Sequence, residues 1–114
     1  MITIYHNPRC GKSRTALAAV KAKNVPYQVV EYLKDTPSVD ELTQLIAKLG
    51  ISPIQLIRAK ESIFQEQYQG KEYTDEQWIE ILHQHPILIE RPIVVGDACA
   101  VIARAEDSLE KVLK

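Results

Sequence analysis

The chain has 114 residues, 46% of them hydrophobic and 25% charged, with a net charge of −1. That is enough for one ordinary domain with a real core, and near-neutrality excludes a global pull toward nucleic acid or an anionic membrane. No apolar run approaches the roughly 20 residues of a bilayer span. The N-terminus shows no basic segment followed by an apolar stretch, so the expected location is cytoplasmic, with no nucleic acid and no membrane as partner.

Ile2-Thr3-Ile4-Tyr5 is β-branched and aromatic and reads as a strand. The run from Gly11 to Lys23 is dominated by good helix formers. Tyr27 to Tyr32 is a second strand candidate, so residues 2–32 form a βαβ unit with parallel strands and a right-handed crossover. Ser38-Val39-Asp40-Glu41 is a capping box, followed by Leu42, Leu45, Ile46 and Leu49 at helical spacing, with Gly50 as terminator. Ser52-Pro53 opens a short helix through Ile57, and Ser62 to Tyr68 has room for a turn or two. Thr74-Asp75-Glu76-Gln77 is another capping box, with Trp78, Ile81, Leu82 and His85 on one face. Ile93-Val94-Val95 and Ala98 to Ala103 flank Gly96-Asp97 as an antiparallel hairpin. Asp107 or Ser108 then starts a C-terminal helix with Leu109, Val112 and Leu113. The order is βαβ, helical segment, ββα. It predicts an α/β fold, thioredoxin-like in its two halves, as a single domain over 1–114 with a helical insert at about 38–85.

Cys10 is the most informative residue. It sits in His6-Asn7-Pro8-Arg9-Cys10-Gly11-Lys12-Ser13-Arg14, at the strand-to-helix turn. There the sulfur faces the unsatisfied N–H groups and positive dipole end of the helix. Arg9, Lys12 and Arg14 add positive charge, and both effects favour thiolate, the nucleophilic form. The competing reading of a lone cysteine is a small buried apolar residue. Cys99, in its apolar strand candidate, fits that description, with a resolving thiol as the alternative. Two cysteines are too few for a disulfide-stapled fold. With His6, His83 and His85 they show no zinc-site spacing, so no metal is expected.

Three arginines sharpen the chemistry that a thiolate alone leaves open. Arg58 ends the short helix, Arg91 precedes Pro92 and the third strand, and Arg104 follows the last strand. In a thioredoxin-like fold the loop before the third strand lies beside the reactive cysteine and its proline is usually cis, so Arg91-Pro92 is expected near Cys10. A guanidinium offers a planar fork of donors matched to tetrahedral oxyanions. Spacing alone leaves two readings open: an oxyanion pocket around a thiolate, or three surface arginines in ordinary ion pairs.

The chain closely resembles the thioredoxin-fold arsenate reductases that use glutathione and glutaredoxin. The matching segments are His6-Asn7-Pro8 before Cys10, Ser13-Arg14 after it, Gly50-Ile51-Ser52, Leu56-Ile57-Arg58, and His85-Pro86-Ile87-Leu88-Ile89-Glu90-Arg91-Pro92-Ile93-Val94-Val95. The likeness covers essentially the whole length. It implies a catalytic cysteine at Cys10 and oxyanion-binding arginines at Arg58, Arg91 and Arg104; the match at Arg104 is the weakest, because Gly96–Ala103 departs from the family sequence. It also implies arsenate or a similar oxyanion as substrate, glutathione as co-substrate, glutaredoxin as partner, and no tightly bound cofactor.

Supporting roles follow for neighbouring residues. His6 as imidazolium lowers the thiol pKa, or its ring caps the loop. Asn7 orders the loop through backbone hydrogen bonds. Ser13 stands where dithiol relatives carry a second cysteine; its hydroxyl bonds the Cys10 sulfur or serves as an early helix residue. Cys10-Gly11-Lys12-Ser13 is therefore monothiol. Two other functions stay in view: a glutathione-linked thiol oxidoreductase with another substrate, and an Spx-like redox regulator that binds RNA polymerase. The latter group typically has a second cysteine where Ser13 stands.

Overall fold

The computed structural model describes residues 1–96 and 100–102. The chain divides into two compact units: residues 1–35 with the chain from Arg91 onward, and residues 36–90. The first holds a four-stranded sheet built from β1 (Ile2–Tyr5), β2 (Tyr27–Val30), β3 (Ile93–Val95) and β4 (Ala100–Ile102), in the order β2-β1-β3-β4. Helix α1 (Gly11–Ala22) connects β1 to β2. β1 runs parallel to β2 and antiparallel to β3, and β3 is antiparallel to β4. This is the α/β, thioredoxin-like arrangement of a βαβ half joined to a β-hairpin half.

β1 is central, and its Ile4 is fully buried with Ala16 and Val20 of α1 and Val94 of β3. β2 lies at the edge, which leaves Tyr27, Gln28 and Val29 exposed. There the Gln28 side-chain amide donates to Thr3 Oγ1 at 2.9 Å. β2 stops at Val30 rather than Tyr32, because the Glu31 carbonyl accepts the N–H groups of Lys34 (2.9 Å) and Asp35 (2.8 Å) and turns the chain. Tyr32 is buried all the same. The C-terminal helix expected from Asp107 or Ser108 lies outside the described residues, as do Asp97–Cys99 of the hairpin.

The second unit is helical: α2 (Val39–Leu49), a 3-10 turn at Pro53–Leu56, α3 (Ser62–Gln67), α4 (Asp75–Gln84) and a 3-10 turn at Pro86–Leu88. Both capping boxes form, Ser38 with Glu41 and Thr74 with Gln77. They satisfy donors that the first helical turn otherwise leaves unpaired. Gly50 ends α2 at φ 69°, the left-handed conformation that glycine adopts without steric cost. The short helix opened by Ser52-Pro53 forms as the 3-10 turn at Pro53–Leu56, with Ile57 as its C-cap. α2 packs on α4, and both 3-10 turns pack on α4. Trp78, Ile79, Ile81 and Leu82 are the buried face of α4; His85 is its C-cap instead of a core position, and its Nε2 lies 3.0 Å from the Tyr68 hydroxyl. A single antiparallel bridge, Ile57 to Ile89, ties the segment before Arg58 to the segment before Glu90. Among the described residues no helix is long and apolar enough to cross a membrane.

Candidate active site

The register of the sheet assembles the site. Tyr5, the last residue of β1, pairs with Ile93, the first of β3. The loop leaving β1 and the Arg91-Pro92 segment entering β3 therefore share one end of the sheet. The Arg91-Pro92 bond is cis.

Loop 6–10 is held almost wholly by its own polar groups. His6 extends the ladder by one bond, its N–H donating to the Val30 carbonyl at 2.8 Å. Asn7 works three ways: its carbonyl accepts the Cys10 N–H (3.0 Å), its Oδ1 accepts the Arg9 N–H (3.0 Å), and its own N–H donates to Ser13 Oγ (2.9 Å). A short polar side chain bonding the backbone two residues on is the turn chemistry asparagine favours. Arg14 Nη1 donates to the Pro8 carbonyl at 2.9 Å and closes the loop over the helix start.

Cys10 is the N-cap residue of α1, with extended backbone (φ −96°, ψ 122°), and its thiol is half-buried. No acidic residue occupies the first turn of α1, and no side chain caps it. The helix N-terminus is thus left to the sulfur. Burial, the largest single influence, raises the thiol pKa. The Ser13 N–H, the Arg91 charge, the Lys12 N–H and a side-chain hydrogen bond from Arg91 outweigh it, and the net direction is downward. Thiolate is favoured. The leading charge on Cys10 is not that of a sequence neighbour. The charge comes from Arg91, 81 positions along the chain, while Lys12 contributes its backbone N–H and Arg14 is turned to Pro8.

Ser13 is fully buried and His6 nearly so. The Ser13 hydroxyl lies 2.6 Å from His6 Nδ1 and accepts the Asn7 N–H, so it is committed to the loop and makes no bond to the sulfur. Burial is the leading cause that lowers the His6 pKa, helped by the Arg14 and Lys21 charges and opposed by Glu31 and the Ser13 bond. His6 is consequently a neutral loop anchor, not an imidazolium partner of Cys10. With one Ser13 acceptor position filled by Asn7, the hydroxyl proton is available to a neutral Nδ1, which leaves the ring proton on Nε2.

Arg91 is half-buried, and its buried Nε has no hydrogen-bond partner among the described residues. Buried polar groups are nearly always paired, so an orphaned guanidinium donor beside a thiolate fits an oxyanion. Pro92 is buried. Arg58 belongs to the helical unit, where its Nη1 donates to Glu61 Oε1 and its Nε lies 3.6 Å from Glu90 Oε1. These two acidic partners went unseen in the sequence. Glu61 is three residues from Arg58 but outside any helix, and nothing local links Arg58 to Glu90. Arg104 and Cys99 lie outside the described residues. Among the described residues no three His, Cys, Asp or Glu side chains converge as a metal site. The chemistry on hand is a half-buried thiol with a lowered pKa beside the planar donor fork of Arg91.

A family model described as the ArsC family matches residues 5–112. An arsenate reductase of Escherichia coli is 41% identical over 113 residues, covering 98% of this chain and 80% of that protein. An arsenate reductase of Acidiphilium multivorum is 46% identical over 95 residues, 82% of this chain and 67% of that protein. The solved structure of an arsenate reductase from Vibrio cholerae superposes with a TM-score of 0.91 at 36% identity, covering 97% of this chain and 96% of that one.

Proposed function

Because the chain belongs to the ArsC family, we propose that it reduces arsenate to arsenite through a covalent adduct on Cys10. The observation that carries this reading is the pairing of Cys10 with Arg91: a thiol whose pKa is lowered by the same guanidinium that keeps a buried Nε donor unsatisfied. The Cys10 thiolate attacks arsenic, and one protonated oxygen leaves as water, forming a sulfur–arsenic(V) bond. Arg91, with Arg58 and Arg104 as the family resemblance implies, binds the remaining oxygens and offsets charge as it develops. Glutathione then adds to arsenic as its thiolate, and a second oxygen leaves as water. The glutaredoxin thiolate attacks the glutathione sulfur. The glutathione–arsenic bond breaks with its electron pair retained on arsenic, which becomes arsenic(III), and the two sulfurs leave as a mixed disulfide. Water displaces Cys10 and releases arsenite. Phosphate fits the same donors but offers no comparable two-electron reduction.

Support for an external thiol comes from the local sequence: Ser13 stands where a resolving cysteine would, and its hydroxyl is committed to the loop. The test is arsenate-dependent NADPH oxidation with glutathione, glutathione reductase and glutaredoxin, repeated with thioredoxin and its reductase in their place. Turnover is expected with the glutathione set and none with Cys10→Ser. Turnover only with thioredoxin would overturn the coupling, and turnover with neither the arsenate assignment.

A further inference from the structure

Arg58 is the only arginine between Thr36 and Glu90, and the way it is held says which part of it is for use. Its backbone is pinned twice: its N–H donates to the Leu88 carbonyl at 2.7 Å, and its carbonyl accepts the Glu61 N–H at 3.1 Å. Glu61 is the N-cap residue of α3, a place where a carboxylate gains from the first-turn N–H groups and the helix dipole. Its side chain makes no capping bond there. It turns back to Arg58 Nη1 instead.

A guanidinium binds a tetrahedral oxyanion through two donors, either Nη1 with Nη2 or Nε with Nη2. Glu61 occupies Nη1. Glu90 Oε1, at 3.6 Å from Nε, is an ion-pair contact beyond hydrogen-bond length, so the Nε proton is not consumed. Nη2 has no hydrogen bond among the described residues. Arg58, Glu61 and Glu90 are only 24%, 23% and 19% exposed, so the fork cannot drift freely in water.

We propose that Glu61 is a positioning residue that clamps Arg58 by Nη1 and so presents the Nε–Nη2 edge to the oxyanion. This rests on the reading above that Arg58 is an oxyanion ligand. Glu61 touches no reacting atom; it acts by cutting the conformational freedom that Arg58 would lose on binding.

The test uses the full-length chain and a readout that needs neither glutathione nor glutaredoxin: protection of Cys10 from alkylation by added arsenate. Glu61→Ala should raise the half-protecting arsenate concentration about tenfold, the order expected for one lost charge-assisted hydrogen bond. Glu61→Gln keeps an acceptor at the same place and should recover most of that loss. The pH dependence of alkylation without arsenate should be unchanged in both, and in turnover KM should rise more than kcat falls. In an Arg58→Ala background Glu61→Ala should add nothing.

Tighter arsenate binding in Glu61→Ala would make Glu61 a competitor for Arg58 and overturn the proposal. So would an effect that persists unchanged without Arg58, which is a general structural role. Weakened binding in Arg58→Ala with none in Glu61→Ala overturns the Glu61 assignment alone. Normal binding in Arg58→Ala overturns this assignment and the role of Arg58 together, leaving the Cys10 chemistry standing.

Discussion

Cys10 is set apart from an ordinary cysteine by what points at it, so its titration should follow those neighbours. Its thiolate absorbance should titrate below the free-cysteine value of about 8.5, and Arg91→Ala should move the midpoint upward by removing a charge and a donor. The folded-state pKa is depressed, so thiolate formation contributes stability above the unfolded pKa and loses it as pH falls through the folded pKa. Urea unfolding of wild type against Cys10→Ser should show the wild type gaining relative stability as pH rises across that window. His6 has the same proton preference, in a more acidic window. Its pKa is lowered, so the unfolded chain binds the proton first, and stability should fall as pH drops below about 6.5 toward the folded value. A His6→Asn variant should lose part of that acid sensitivity in the same urea series. Ser13→Ala strands the Asn7 N–H and the His6 ring in a buried place and should cost about 1–3 kcal/mol of stability. Equal urea midpoints for Ser13→Ala and wild type would contradict the hub role. At this scale the sequence picked out Cys10, Asn7, Ser13, Arg91 and the helix N–H groups that favour thiolate, and missed that the leading charge is that of Arg91 and that His6 is buried with a lowered pKa. Flanking cations are visible in a string of letters, whereas the approach of Arg91 and the burial of His6 depend on how the chain closes.

Elements were legible where a local rule dictates them. The capping boxes of α2 and α4 and the left-handed Gly50 depend on contacts three or four residues apart, so spacing alone specifies them. Ser38→Ala and Thr74→Ala should each cost about 1 kcal/mol of stability, measured by thermal or urea unfolding, with kcat for arsenate unchanged. A large activity loss in either folded variant would show that the helical unit couples to the chemistry more strongly than capping accounts for. The misses share a cause. β2 ends early because of a turn at Glu31, and the short helix from Ser52-Pro53 stops at Leu56, one residue before Ile57; residue type in both stretches permits either end. Glu90 was illegible as a partner of Arg58 because the 56–58 and 88–90 segments meet only through tertiary pairing, with the Glu90 N–H donating to the Leu56 carbonyl at 2.8 Å, whereas Glu61 is local but precedes its helix as N-cap, outside the i,i+3 rule of a helix face.

At the scale of the molecule, the sheet order does the functional work in its own unit: an antiparallel β1–β3 pair brings residue 91 to the loop that bears residue 10. Long-range placement of this kind came from the resemblance and the expected topology, not from periodicity. Its cost can be probed at Ile4, which is fully buried between α1 and β3. Ile4→Ala should destabilise by about 2–5 kcal/mol and, in the folded fraction, slow Cys10 alkylation by loosening the strand end from which the loop starts. Turnover of arsenate to arsenite at Cys10 is read without intermediaries by arsenic speciation. Wild type and Cys10→Ser would be incubated with arsenate, excess glutathione and glutaredoxin, and the arsenic separated by oxidation state. Arsenite should accumulate with wild type, and only arsenate should remain with Cys10→Ser. Arsenite from both, or from neither while the wild type is folded, would contradict reduction at Cys10.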